Sequence, residues 1–152
     1  RTFAAARLTG NQGNGTAAIL KDDPTVFTFS IHGEKNFPFR KHPSDLDIGL
    51  ADGTSDLEYL DALDHHLRQA LDLAQADFAI YLAGADPFEG DRLGRLSISM
   101  TGLLKRDRMV LESCQQRKIP VAIVMAGGYA VPVEDTVKVH FQTVKLAVEM
   151  YS

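Results

Sequence analysis

The 152-residue chain predicts an α/β domain with a parallel sheet. Short apolar runs alternate along it with longer stretches of helical period. One run, Ile119-Pro120-Val121-Ala122-Ile123-Val124-Met125, carries no polar residue, as a parallel strand covered on both faces requires. The composition, 45% apolar and 24% charged, is that of a globular protein, and the length suits one domain with a real core.

Taken in order, the first ten residues carry Ala4-Ala5-Ala6, a run that favours helix or nothing definite. Val26-Phe27-Thr28-Phe29-Ser30-Ile31 is β-branched and aromatic, bounded by Asp23-Pro24 and Gly33, and predicts a strand. Glu34 to Ser55 mixes proline, glycine and charge, which predicts a long loop with a short strand at 47–50. Asp52-Gly53-Thr54-Ser55-Asp56 is a turn and N-cap. Leu60, Leu63, Leu67, Ala70, Leu71 and Ala74 then recur at helical spacing to Gln75. Phe78 to Leu82 predicts a buried strand, Thr101 to Arg117 a helix, Ile119 to Met125 a strand, and Val133 to Met150 a last helix.

Charge and cysteine content exclude several classes. The net charge is −4 and no Lys/Arg cluster stands out, which argues against a nucleic-acid partner. Cys114 is the only cysteine, so there is no intramolecular disulfide and no multi-cysteine zinc site. A reducing, cytoplasmic compartment is expected. No apolar stretch spans a bilayer and no signal-peptide pattern opens the chain, so no membrane partner is expected. The first residue is Arg1, as in a piece of a longer polypeptide.

Residues 82–94, Leu-Ala-Gly-Ala-Asp-Pro-Phe-Glu-Gly-Asp-Arg-Leu-Gly, place Asp86 and Asp91 just beyond a strand. Ligands of open α/β sheets bind at that edge, so the loop is a candidate metal or acid/base site, or else a solvated loop with an N-cap. Gly127-Gly128-Tyr129 closes the next strand. Adjacent parallel strands bring both loops to one edge, where a glycine pair permits close approach and a tyrosine hydroxyl can serve an oxyanion.

Several segments together resemble the histone deacetylase superfamily of zinc-dependent amidohydrolases, in its class IV-like or bacterial branch. They are Gln12-Gly13-Asn14-Gly15-Thr16, Phe29-Ser30-Ile31-His32, Asn36-Phe37-Pro38 and Leu50-Ala51-Asp52-Gly53-Thr54. Ala83-Gly84-Ala85-Asp86, Asp91-Arg92-Leu93-Gly94 and Gly127-Gly128-Tyr129 complete the set. The resemblance covers 12–152 and the C-terminal half of the domain, leaving 1–11 as a divergent segment. It implies a partial three-layer, parallel-sheet arginase/deacetylase-like fold, zinc, and an acetylated amine or lysine as substrate. It also implies roles for single residues: Asp86 as a metal ligand and Tyr129 as the catalytic oxyanion donor. Phe37 is implied as a wall of the acyl tunnel, and Gly84, Gly127 and Gly128 as glycines that let loops close on substrate. Ser30 and Ile31 fall where carbonyls contribute to a potassium site.

The departures matter equally. The family places Asp-x-His before Gln-Gly-Asn-Gly, where this chain has Thr9-Gly10-Asn11, and threonine and asparagine are poor zinc ligands. The family's histidine pair belongs to a region N-terminal to these segments. His65 and His66 lie on one helix about 100° apart and cannot converge on an ion. His32, His42 and His140 have no metal-ligand spacing. Asp91 is expected to brace its loop and Cys114 to be core. Three readings follow. The chain is a catalytically incomplete deacetylase-family domain; or it is a degenerate, non-enzymatic binding or assembly module; or it is half of a split deacetylase. Loss of the neighbouring half would leave an apolar sheet edge and face open, favouring self-association or a complementing chain.

Overall fold

The computed structural model describes residues 3–10 and 13–152. Asn11, at a departed ligand position, and Gln12, in the Gln-Gly-Asn-Gly segment, lie outside the described residues. Five strands form one parallel sheet. They are β1 (Phe3–Leu8), β2 (Val26–Gly33), β3 (Leu46–Leu50), β4 (Ala79–Gly84) and β5 (Val121–Ala126), in the order β3-β2-β1-β4-β5. The helices are α1 (Asn14–Leu20), α2 (Asp56–Ala74), α3 (Met100–Gln116) and α4 (Val133–Tyr151). The α/β class and six of the expected elements are as the periodicity predicts, and the short strand at 47–50 is β3.

One expectation is overturned. Ala4-Ala5-Ala6 is neither helical nor irregular but lies in β1, the central strand, paired with β2 on one side and β4 on the other. Alanine's helix preference amounts to less than about 1 kcal/mol per residue over other non-glycine, non-proline types. Two flanking ladders and the burial of Ala5 and Leu8 outweigh it. Helix α1, over a segment read only for its motif, is a second element that periodicity did not predict.

Alternation along β4 separates the two faces of the sheet. Tyr81 is fully buried against α3, on the side where α2, α3 and α4 pack in a row. Leu63, Leu67, Leu103, Val110, Leu111, Val139 and Leu146 from those helices fill the core with Phe27 and Phe29. The other face carries Ile80 and Leu82. Among the described residues only α1 lies against it, and Ala5, Thr16, Leu20, Val26, Ile80, Leu82 and Val124 line an open apolar groove of about 380 Å³. No helix among the described residues is long and apolar enough to cross a membrane.

Helix α2 begins at the expected cap, where the Glu58 carboxylate accepts from the Ser55 N–H at 2.9 Å. Helix α3 begins at Ser99, whose hydroxyl accepts from the Gly102 N–H at 3.0 Å. Beneath the sheet, Asp107 accepts from the Tyr81 hydroxyl (2.5 Å), Arg106 Nε (2.8 Å) and the Thr143 hydroxyl (2.5 Å). Arg106 and Asp107 are both fully buried. Arg106 Nη1 also donates to the Leu8 carbonyl at 3.1 Å and the Gly84 carbonyl at 2.6 Å. Burial opposes its charge, yet Asp107 holds the guanidinium protonated, above its ordinary range. Burial likewise pushes the Tyr59 phenol up to about 12.

Candidate functional site

From β1 the chain moves outward to β2 and β3, then returns to β4 on the opposite side of β1. The connections therefore diverge between β1 and β4, and a crevice opens at their C-terminal ends, the usual ligand position in such sheets. Thr9 follows β1 into it and Asp86 stands two residues beyond β4. Both are buried, at 3% and 2% exposure. Arg106 fixes the crevice from below, because the carbonyls it binds lie just before these two residues.

Glycine is needed where the loops crowd Asp86. A Cβ on Gly84 would lie 2.6 Å from Thr9 Cγ2 and 2.7 Å from Asp86 Oδ1, so the Thr9 and Asp86 side chains meet over that glycine. Gly127 adopts a left-handed φ of 61°, and a Cβ there would stand 2.7 Å from Asp86 Cγ. Gly128, also left-handed, packs under Thr136. The structure thus gathers Asp86, Gly84, Gly127 and Gly128, four of the expected site residues, with Thr9 among them.

Asp91 braces the loop, as expected. One oxygen accepts from the Leu93 and Gly94 N–H groups at 2.8 and 2.7 Å, and the other from the Tyr129 N–H at 2.5 Å. The Arg92 N–H returns a bond to the Tyr129 carbonyl at 3.3 Å. Tyr129 is thereby fixed through its backbone while its side chain stays exposed. Phe37 is farther out: 71% exposed, its ring meets Phe39 edge-on at 6.1 Å. Its neighbour Asn36 ties that loop to the crevice by donating to the Gly10 carbonyl at 2.8 Å.

Ser30 and His32 are buried, joined hydroxyl to Nδ1 at 2.9 Å, and burial pulls the imidazole below its ordinary pKa. His65 is exposed on α2, and its neighbour His66 meets the Ala62 carbonyl of the same helix. His140 Nε2 lies 3.3 Å from the Gly127 carbonyl, so α4 backs the site loop. Cys114 is core, and burial raises its thiol to about 11.

Three residues absent from the sequence-level site belong to it. Arg7, on β1, donates to the Thr16 hydroxyl at 2.9 Å and lies over Gly13. Burial lowers its pKa and the charge of Asp86 pulls it back up. Asn36 was visible only inside a motif. Arg106 sits in Lys105-Arg106-Asp107-Arg108, which looks like a solvated charge run. The signal was there: Leu103, Arg106, Asp107, Val110, Leu111 and Cys114 share one buried helical stripe.

The donor set does not suit zinc. Among the described residues no group of three or more His, Cys, Asp or Glu side chains could hold a metal ion. Beside the Asp86 carboxylate stands the Thr9 side chain, and zinc takes thiolate, imidazole and carboxylate.

An open parallel sheet with its polar loops gathered at a switch point defines a class of α/β ligand-binding domains. Within it, residues 11–144 match the histone deacetylase domain model. The chain is 48% identical over 141 residues to an uncharacterised protein of Picosynechococcus, across 93% of this chain and 47% of that protein. It is 34% identical over 125 residues to histone deacetylase 2 of Arabidopsis thaliana, across 80% of this chain and 32% of that one. Among solved structures, the HDA15 HD domain superposes with a TM-score of 0.78 at 21% identity, over 97% of this chain and 45% of the other. A histone deacetylase homologue from Aquifex aeolicus gives 0.75 at 20%, over 91% and 40%. The chain belongs to the histone deacetylase family and spans about half or less of the length of these relatives.

Proposed function

We propose that this chain carries one wall of a deacetylase-type site and does not hydrolyse amides on its own. Thr9 carries the reading. It occupies the β1 end beside Asp86, where the family resemblance expects a carboxylate, and it cannot replace one at zinc. Asp86 keeps a metal-ligand position, and among the described residues no group of three or more His, Cys, Asp or Glu forms around it. Tyr129, presented on a loop pinned by Asp91, is the donor to an acyl carbonyl oxygen. Phe37 lines the approach, and Gly84, Gly127 and Gly128 leave room beside Asp86. The ligand class is an acetylated lysine or another acetylated amine. Potassium, which the resemblance suggests at the Ser30 and Ile31 carbonyls, is the further cation of this reading. The buried free thiol of Cys114 suits a reducing, cytoplasmic setting.

A second reading, a non-enzymatic assembly module, is favoured by the exposed apolar side chains of α4. The two agree on the test of chemistry. Metal analysis of the purified chain should find well under one zinc per molecule, and an acetyl-lysine peptide or an acetylated diamine should release no acetate above the buffer rate. One zinc per chain together with acetate release would overturn the proposal.

A further inference from the structure

Two loops form the mouth of the crevice, and the Asp86 main chain lies against the residues they hold. A Cβ on Gly10 would stand 2.9 Å from the Asp86 carbonyl oxygen, and a Cβ on Gly94 would also meet that oxygen. The loop after β2 is stitched to the chain leaving β1 at two points. Asn36 binds the Gly10 carbonyl. Farther along, Asn14 Nδ2 donates to the Arg40 carbonyl at 2.6 Å, and the His42 N–H donates to Asn14 Oδ1 at 3.1 Å. The loop after β4 is held to Tyr129 through Asp91 and Arg92. Phe37, Phe39 and Arg40 are exposed on the first loop, Arg92 and Leu93 on the second.

Lys41 gives the first loop its shape. Its ammonium donates to the Asn36 carbonyl at 2.8 Å and the Pro38 carbonyl at 3.0 Å, bridging the turn that carries Phe37. Burial lowers its pKa, and the charges of Asp47 and Glu34 offset that only in part.

Charge is spread unevenly over these loops. Among the described residues Lys35, Arg40 and Arg92 are exposed and form no ion pair. Most exposed cations of the helices do, as Arg68 with Asp64, Arg108 with Glu112 and Lys138 with Asp135. The carboxylates of the loops are already engaged or stand elsewhere. Asp91 accepts from three N–H groups, Asp45 from the Thr28 N–H and Asp47 from the Ser44 N–H. The Glu34 stem packs over Gly49 of the outer strand β3, and Glu89 follows the bridge from Phe88 to Ile98, ahead of α3. A chain with a net charge of −4 thus presents a cationic mouth.

Such a mouth sorts acetylated amines by what accompanies the acetyl group. An acetylated diamine carries a free ammonium at its far end, which Arg40 and Arg92 repel. An acetylated lysine side chain carries no further charge, and its neighbours in a peptide set the electrostatics. We propose that this rim selects an acetyl-lysine flanked by acidic residues, with Arg40 and Arg92 taking the carboxylates and Phe39 extending the wall begun by Phe37. This rests on the reading that the crevice takes an acetylated amine, and narrows it to one class. Each exposed pair contributes about two- to fivefold in affinity, so two give about tenfold, and salt weakens both.

Fluorescence anisotropy of the purified chain with labelled peptides of equal length tests the assignment. Acetyl-lysine is flanked by aspartates, by alanines or by lysines, and a fourth peptide carries unacetylated lysine between aspartates. The aspartate-flanked acetyl peptide should bind about tenfold tighter than the alanine-flanked one. The lysine-flanked peptide, and N-acetylputrescine as competitor, should be weaker still, and the differences should shrink as salt rises. Arg40→Glu/Arg92→Glu should abolish or reverse the order. Lys105→Glu/Lys118→Glu makes the same change in net charge on and just beyond α3, at exposed positions, and should preserve it. Thermal midpoints of both variants should match the wild type, because these side chains are exposed. Equal affinity for the three acetylated peptides overturns the proposal, as does a preference that Lys105→Glu/Lys118→Glu also removes. So does N-acetylputrescine binding as tightly as the aspartate-flanked peptide, or binding of no peptide at all. An aspartate-flanked peptide that binds equally with and without its acetyl group overturns instead the acetylated-amine reading, while the charge order among peptides still supports the cationic rim.

Discussion

Replacing Asp107 by asparagine tests the brace beneath the site. The side chains are nearly the same size, so packing is kept, but the fully buried Arg106 guanidinium loses its counter-charge. Removing one member of a buried ion pair costs about 3–5 kcal/mol, because the other charge remains stranded. A domain of this size is stable by roughly 5–15 kcal/mol, so the loss is a large fraction of the total. Arg106→Met strands Asp107 in the same way and also removes one donor from each of the Leu8 and Gly84 carbonyls, at about 1 kcal/mol each. In Arg106→Met/Asp107→Asn no charge is left, and the loss of those two hydrogen bonds, about 2 kcal/mol, persists. Urea unfolding of the wild type, both single variants and the double variant measures the cycle. The expected result is a double variant no less stable than Arg106→Met. If Asp107→Asn costs under about 1 kcal/mol, or if the two losses simply add, the pair is not the electrostatic unit described.

Thr9→Asp/Asn11→His restores the family's donor types, and bound zinc measured by mass spectrometry should rise from well under one equivalent toward one; unchanged content would mean that the crevice geometry, not its donors, excludes the metal. Gly127→Ala forces a side chain into a left-handed position facing Asp86 and should destabilise the fold by about 1–3 kcal/mol in thermal unfolding. An unchanged midpoint would refute the crowding. His32 titrates below its ordinary 6.5 because it is buried, so the unfolded chain takes up the proton first as pH falls. Stability should therefore decline below about pH 6.5 and level off below the folded pKa, with His32→Asn, which keeps an acceptor toward Ser30, flattening that part of the profile.

Periodicity revealed β2, α2, β4, α3, β5 and α4, because each buries one face or is apolar throughout, and burial is what hydrophobic spacing records. It failed at β1, whose alanines owe their strand geometry to neighbours distant in sequence. It failed again at α1, too short to show a period. Asp86 and the Gly127-Gly128-Tyr129 turn were legible because polar residues just after an apolar run mark a strand end. Arg7 and Arg106 were not, since a charged side chain looks solvated until the tertiary structure shows what it is buried against.

The adjacency of β1 and β4 joins residues about 75 positions apart, Ala4 opposite Ala79. On one side of that ladder β1, β2 and β3 follow one another in sequence; on the other, β4 and β5 do. The sheet is therefore two locally wound units meeting along a single line, and the crevice lies on that line. Opening it would separate Thr9 from Asp86 while each unit kept its own pairing. Hydrogen exchange at β1 amides facing β4 would then report on the integrity of the crevice itself, without a ligand and without turnover.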